Sequence, residues 1–188
     1  MKNTDKRVQR TRKRLAEALS ALTLAQGYEA VTIRDITRRA GVGYATFFRH
    51  YKDKDALLID VMNAFIQELK DLLSQAGEAS AAAEGALIFA HVHEKRDLYR
   101  ILLSGQGTQD ILAHVQEVSA REVLVGKVAR EGSPVPALIA ANHIAVSTMA
   151  LIKWWLDHDM PYTIAQMGYI YSELIMRPTE TVAFTSSS

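Results

Sequence analysis

Residues 32–51, TIRDITRRAGVGYATFFRHY, constrain this chain more than any other stretch. They read as two short helices joined by a tight turn. Thr32, with Asp35 three residues on, makes a capping box that starts a helix. Ile33, Ile36 and Ala40 recur at helical spacing. Gly41 suits the left-handed residue at which a helix stops. Val42 is the residue of the turn expected to be buried, and a second helix is expected from about Tyr44 to Tyr51. Arg34, Arg38, Arg39 and Arg49 load this unit with cations. Two such helices over a glycine-flanked turn are what a helix-turn-helix needs to enter the major groove of DNA. The pattern points to recognition rather than catalysis.

The charge distribution points the same way. The net charge is only +1, but residues 1–54 hold 13 Lys/Arg against 5 Asp/Glu, and the remainder holds 9 against 16. A basic head on an acidic body suggests a polyanion partner for the head alone. The first helix carries Leu15, Ala18, Leu19, Leu22 and Ala25 on one face and stops at Gly27. Its first turns hold Arg7, Arg10, Arg12, Lys13 and Arg14. Cations there oppose the helix dipole, which phosphates facing them would relieve.

Apolar residues recur at helical spacing nearly everywhere, so the chain is expected to be all-α. Asp53 caps a long fourth helix with a wide apolar face from Leu57 to Leu73. Residues 77–85 read as a loop followed by the start of a fifth helix, and helices are expected over 85–94 and 96–104 with a break near Lys95–Asp97. Gly105 and Gly107 punctuate, and a helix is expected from about 108 to 130. Gly132, Ser133, Pro134 and Pro136 form a strong breaker. Helices over about 136–157 and from Thr163 to near Arg177 follow. Thr163 and Gln166 form a second capping box, and Pro178 blocks continuation. Residues 178–188 are expected to be a disordered tail. The organisation expected is a head over 1–53, a helical body over 54–177 and that tail.

Several function classes are set aside. There is no cysteine, hence no disulfide, thiolate nucleophile or Cys-based metal site. The charged start MKNTDKRVQRTRKR has no apolar run behind it, so it does not read as a secretory signal. Residues 135–152 read as a buried helix and not a membrane span. A cytoplasmic protein without membrane contact is expected. His91, His93 and Glu94 are the nearest approach to a metal cluster, but residues two apart on a helix point in different directions. HExxH, a Gly-rich phosphate loop and a nucleophile elbow are all missing. No catalytic residue, metal or cofactor is expected.

Residues 7–58 resemble the N-terminal domain of TetR/AcrR-type transcriptional regulators. The matching string is LTLAQGYEAVTIRDITRRAGVGYATFFRHYKDKDALL. In register stand a Gly-Tyr pair, a Thr-x-x-x-Ile run, Ala-Gly-Val, an aromatic-Arg-His-aromatic end and a Lys-x-x-Leu-Leu start to helix 4. Residues 97–104, DLYRILLS, and Trp154–Trp155 resemble one branch of such regulators. The resemblance implies an all-α homodimer: a three-helix helix-turn-helix DNA-binding domain on a C-terminal helical domain for ligand binding and dimerisation. The partner implied is double-stranded DNA bearing a palindromic operator.

It also implies roles for residues. Gly43, Tyr44, Ala45 and Thr46 would approach base edges, with Arg34 reaching a guanine from helix 2 for about 1–3 kcal/mol of discrimination. Tyr44 or the Ala45 methyl would touch a thymine methyl. Thr32, Arg49, His50, Lys54 and the helix 1 cluster would hold phosphates and fix register. Phe47 and Tyr51 would pack in the core. Phe48 stands where the family commonly has tyrosine, and Gly43 where a hydroxyl residue is frequent. Each departure removes one possible hydrogen bond.

The last two helices are expected to form the dimer seam. Leu138, Ala141, Ala145, Thr148, Ile152 and Trp155 lie on one, and Ile164, Met167, Gly168, Tyr171, Leu174 and Ile175 on the other. An effector pocket is expected to use Phe65, Phe89, His93, Tyr99, Leu103, Ile111, His143 and Trp154. Such a lining suits a small apolar or aromatic ligand with one or two polar handles. A body that binds a protein partner, as in a co-activator, is the alternative. The sequence leaves operator, effector, target genes and sign of regulation open.

Overall fold

The computed structural model describes residues 2–77, 79–103, 109–125 and 127–185, with side chains from Lys6 onward. Among these residues all regular structure is helical. The helices are α1 (Lys2–Gln26), α2 (Ile33–Ala40), α3 (Tyr44–Phe48), α4 (Lys54–Gln75), α5 (Ala81–Glu94) and α6 (Arg96–Leu103). They continue as α7 (Gln109–Leu124), α8 (Ala137–Asp157), α9 (Ile164–Tyr171) and α10 (Arg177–Ala183), with one π-helical turn, Ser172–Met176, between the last two.

Local chemistry sets most boundaries. Thr32 and Asp35 close the capping box, and Gly41 ends α2 at φ 59°, where a side chain is disfavoured. The Asp53 carboxylate accepts the Ala56 N–H at 2.7 Å and starts α4. Thr163 and Gln166 form the second box.

Four helices, α1 to α4, fold over one core. Leu15, Leu19, Ile36, Phe47 and Leu57 are fully buried at its centre, each contributing about 1.5–3 kcal/mol by leaving water. This core continues into Leu102, Ile111 and Val115 of α6 and α7, so the head is seated on the body. A second core holds Phe89, Trp155, Met167 and Phe184. There the Trp155 indole N–H donates to the Tyr162 carbonyl at 2.9 Å. At the α5–α9 crossing Gly85 and Gly168 bring the two backbones together.

Three expectations are corrected. The second helix of the helix-turn-helix, α3, ends at Phe48 and not at Tyr51. His50 and Tyr51 then bond back to the Phe47 carbonyl at 2.8 and 2.9 Å in a closing turn, which lets Asp53 start α4. The seventh helix stops at Leu124, not near 130. Residues 128–130 run beside the C-terminus, with Arg130 N–H on the Ala183 carbonyl and Thr185 N–H on the Val128 carbonyl, both at 2.9 Å. Pro178 does not end the last helix. It sits at the start of α10 behind the π-helical turn; a widened turn eases the clash of a proline ring with the carbonyl four residues back. Residues 178–185 are therefore no tail, for Thr179, Ala183 and Phe184 are buried. Residues 186–188, like Gly105 and Gly107, lie outside the described residues.

Candidate nucleic-acid interface

The amphipathic division of α3 decides what this head offers. Phe47 points wholly into the core, while Tyr44 and Phe48 are 51% and 47% exposed. Ala45 and Arg49 share the outer side. Gly43 is the N-cap but supplies no side-chain cap. The Thr46 hydroxyl accepts from the Arg49 guanidinium at 2.8 Å. His50 is half-buried and leans on the Tyr51 ring. Thr32 is exposed at the start of α2. The expected contact residues Thr32, Gly43, Tyr44, Ala45, Thr46, Phe48, Arg49 and His50 thus lie along one helix-turn-helix.

The cations divide into two groups. Arg34 and Arg39 on α2, and Arg7 and Arg10 on α1, are exposed or nearly so, and their guanidinium groups have no partner among the described residues. Others are engaged within the fold. Arg12 binds the Tyr51 hydroxyl at 3.1 Å and pairs with Asp60 of α4. Burial, and the bond donated to Asp60, push the Tyr51 phenol up to about 12. Arg14 caps the Gly41 carbonyl at 3.2 Å. Arg38 pairs with Asp35 at 2.6 Å.

Lys54 differs most from expectation. Its ammonium donates to the Tyr28, Glu29 and Val31 carbonyls at 3.0, 3.3 and 3.3 Å. It also lies 4.4 Å from the Tyr28 ring centroid. An ammonium has three donors, so reaching a phosphate would break bonds already made. In this structure Lys54 braces the α1–α2 loop against α4.

The body holds a cavity of about 1050 Å³ between α4 and α8, bordered by α5, α6, α7 and α10. Of the expected lining, Phe65, Tyr99 and Leu103 are present. Phe89 and Ile111 instead fill the cores. His93, His143 and Trp154 are exposed, the last stacked on His158 at 4.4 Å. Met62, Leu69, Ile88, Leu102 and Met149 line the cavity without having been expected. They sit on the same helical stripes as core residues, so periodicity alone does not separate them. Polar groups lie at two places. The Tyr99 hydroxyl meets His91 Nδ1 at 3.0 Å, and burial lowers the His91 pKa. At another part of the wall Lys127 pairs with Glu180, Lys70 pairs with Glu122 at 2.6 Å, and Glu84 has its carboxyl pKa raised by desolvation.

The expected seam residues separate likewise. Ala141, Ala145, Ile152, Trp155, Met167, Gly168, Tyr171 and Ile175 are buried within the subunit. Ala145, Thr148, Ile152 and Tyr171 face the cavity, and Ile164 packs partly on the second core. Leu138 and Leu174 are exposed at 65% and 68%. Ile139, Val146 and Trp154 on α8 and Tyr169 on α9 are exposed as well, while Leu174 lies in the π-helical turn. Apolar on both sides, α8 is long and apolar enough by composition to cross a membrane. Its inner face belongs to the second core described above.

Residues 15–61 match the family model described as bacterial regulatory proteins, tetR family, and residues 86–177 match one described as a transcriptional regulator C-terminal region. A curated relative, the HTH-type transcriptional regulator YxbF of Bacillus subtilis, is 41% identical over 74 residues. These make up 39% of this chain and only 20% of that protein's length. A crystal structure assigned to the TetR family, from Syntrophomonas wolfei, superposes with a TM-score of 0.72 at 18% identity, covering 91% of this chain and 95% of that one. The Bacillus subtilis regulator FadR, solved in complex with stearoyl-CoA, gives a TM-score of 0.60 at 18% identity over 88% of this chain and 97% of its own. At these identities the solved structures speak to the fold.

Proposed function

The chain belongs to the TetR family of transcriptional regulators, and from that premise we propose that it is a homodimeric, cytoplasmic repressor that a small ligand releases from a palindromic operator. The observation that carries this reading is the head: a short exposed helix flanked by unpartnered arginines, on the basic end of a charge-divided chain. Arg34 reads a base edge, whereas Arg7, Arg10 and Arg39 hold phosphates. One short helix touches few bases, so two heads reading half-sites about 34–36 Å apart, or a multiple, supply the affinity.

The apolar face of Leu138, Ile139, Val146, Trp154 and Leu174 supports the dimer, since large exposed apolar patches mark interaction sites. The cavity favours a small ligand over a protein partner. Its volume of about 1050 Å³ is at the upper end of ligand pockets. Residues Met62 to Ser74 of α4 line it, a length of about 18 Å at the rise of an α-helix. A long, largely apolar wall with charged groups suits an elongated amphiphile, and the stearoyl-CoA complex of FadR supports that class. Ligand acts by preferring one of two body conformations, and only that difference in affinity shifts the heads.

Selection from a random-sequence duplex library tests the reading. A palindromic preference is expected, with log affinity falling linearly with log salt. Failure to prefer any duplex in a salt-sensitive way would remove the DNA-binding premise.

A further inference from the structure

Two large aromatic side chains, Tyr44 and Phe48, stand half in solvent on the outer side of α3. Tyr44 and Phe48 are one helical turn apart, with ring centroids 5.2 Å apart at 67°, edge to face. The two rings make a single apolar surface, and Phe48 is braced from behind by Phe47 at 5.4 Å. We infer that Tyr44 and Phe48 together read the 5-methyl groups of pyrimidines in the major groove, so that each half-site carries thymine where this surface docks. The inference rests on the DNA-binding reading above and specifies what that site recognises.

The chemistry of α3 leaves little else for it to read. Gly43 has no side chain, Ala45 has a methyl group, and the Thr46 oxygen is held by Arg49 at 2.8 Å. Phe48 has no hydrogen-bonding atom. Within the two-ring surface of Tyr44 and Phe48, the Tyr44 hydroxyl is the one group that can make a hydrogen bond. Adenine, guanine and cytosine present donors and acceptors at the major-groove edge, and only thymine adds a methyl group. An apolar ring pressed against the other edges would strip water from polar atoms and return no bond. Against a methyl group it buries apolar area on both sides. The unpartnered Arg34 and Arg39 on the adjoining helix supply the charge that draws a polyanion onto this face.

The test uses the full chain and the duplex it selects from a random library. Each thymine is replaced in turn by deoxyuridine, which deletes only the methyl group. At one or two positions in each half-site, binding is expected to weaken about fourfold per methyl, the factor for removing one buried methylene-sized group. Tyr44→Ala and Phe48→Ala should abolish that thymine-over-deoxyuridine ratio while the salt dependence stays. If Phe48→Ala fails to fold, Tyr44→Ala carries the comparison, since half of that side chain is already in water. A selected duplex that binds equally well with every thymine replaced would overturn the inference and leave the DNA-binding reading standing. A ratio that survives in Tyr44→Ala and in folded Phe48→Ala would overturn it too, because the methyl groups are then sensed elsewhere. If no duplex is preferred at all, both readings fall together.

Discussion

Replacing Gly168 by alanine should lower the stability of the protein, against the usual effect of that exchange in a helix. Alanine in place of a mid-helix glycine normally stabilises by about 0.5–1 kcal/mol. Here a Cβ would lie 2.5 Å from the Ala82 carbonyl oxygen, 2.6 Å from the Ala86 nitrogen and 3.0 Å from the Ala86 Cα. All three are backbone atoms of α5, so no side chain can rotate aside. Restoring ordinary contact, about 3.5 Å, requires α5 and α9 to part by about 1 Å. Gly85 on the facing helix has no slack either, since a Cβ there would meet Tyr171 at 2.6 Å and Gly168 at 2.9 Å. Overpacking of this kind costs about 1–3 kcal/mol. After the helix-propensity gain the net loss is about 1–2 kcal/mol, or about 2–8 °C in Tm for a chain of this size. Thermal unfolding of both proteins, followed by circular dichroism at matched concentration, reads the shift. Sedimentation distinguishes the cause. A Tm equal to or above that of the parent would refute the close crossing. An unchanged Tm with a shift toward monomer would mean that Gly168 faces a partner subunit instead.

Three further outcomes follow from the head. Lys54→Met keeps the aliphatic stem but takes the ammonium from three carbonyls; urea unfolding should show a loss of about 1–2 kcal/mol, and an unmoved midpoint would return Lys54 to the surface. Gly43→Ser has room, since a Cβ there lies 3.6 Å from Thr46 Oγ1. It adds the cap that α3 lacks and should gain a few tenths of a kcal/mol, whereas a lower Tm would contradict the open N-cap. The Tyr51 phenol titrates near 12 in the folded head and about 10 when unfolded. A raised pKa means that the stability it contributes is complete below pH 10 and is lost as pH rises through 12. Stability measured across that window should fall more steeply for the parent than for Tyr51→Phe, and parallel curves would exclude the buried phenol.

Much of the head was legible because its determinants are local. The Thr32–Asp35 box, the Gly41 stop and the Asp53 cap each involve residues at most four apart, and apolar spacing fixed which side of α2 and α3 turns inward. What stayed hidden was which cations were free. Arg12, Arg14 and Lys54 look no different in sequence from Arg34 and Arg39. Their fates depend on Asp60, on the Gly41 carbonyl and on the carbonyls of the α1–α2 loop, which are 48, 27 and 23–26 residues away. The body shows the same limit. Periodicity says that α8 is apolar, but α8 is apolar on both sides. Trp155 and Ile152 fill the subunit or its cavity, while the neighbouring Trp154 is left outside.

The engaged cations bear on how the two halves of the molecule communicate. Asp60 holds Arg12, and Tyr51 at the end of the helix-turn-helix shares that carboxylate at 2.6 Å. Two and five residues further along α4, Met62 and Phe65 line the cavity. One helix therefore carries both the ion pair that orients α1 and the wall that a ligand would press. The head core also runs into Leu102 and Val115, which line the same cavity. Close-packed interiors shift between discrete arrangements rather than deforming smoothly. Displacing α4 on its cavity side would then carry Asp60, Arg12 and Tyr51 together and turn the head as a unit. The salt bridge matters here less as a source of stability, since at 47% and 33% side-chain exposure such pairs contribute little, than as a tie that, with the Tyr51 hydroxyl, joins α1 and the end of the helix-turn-helix to α4.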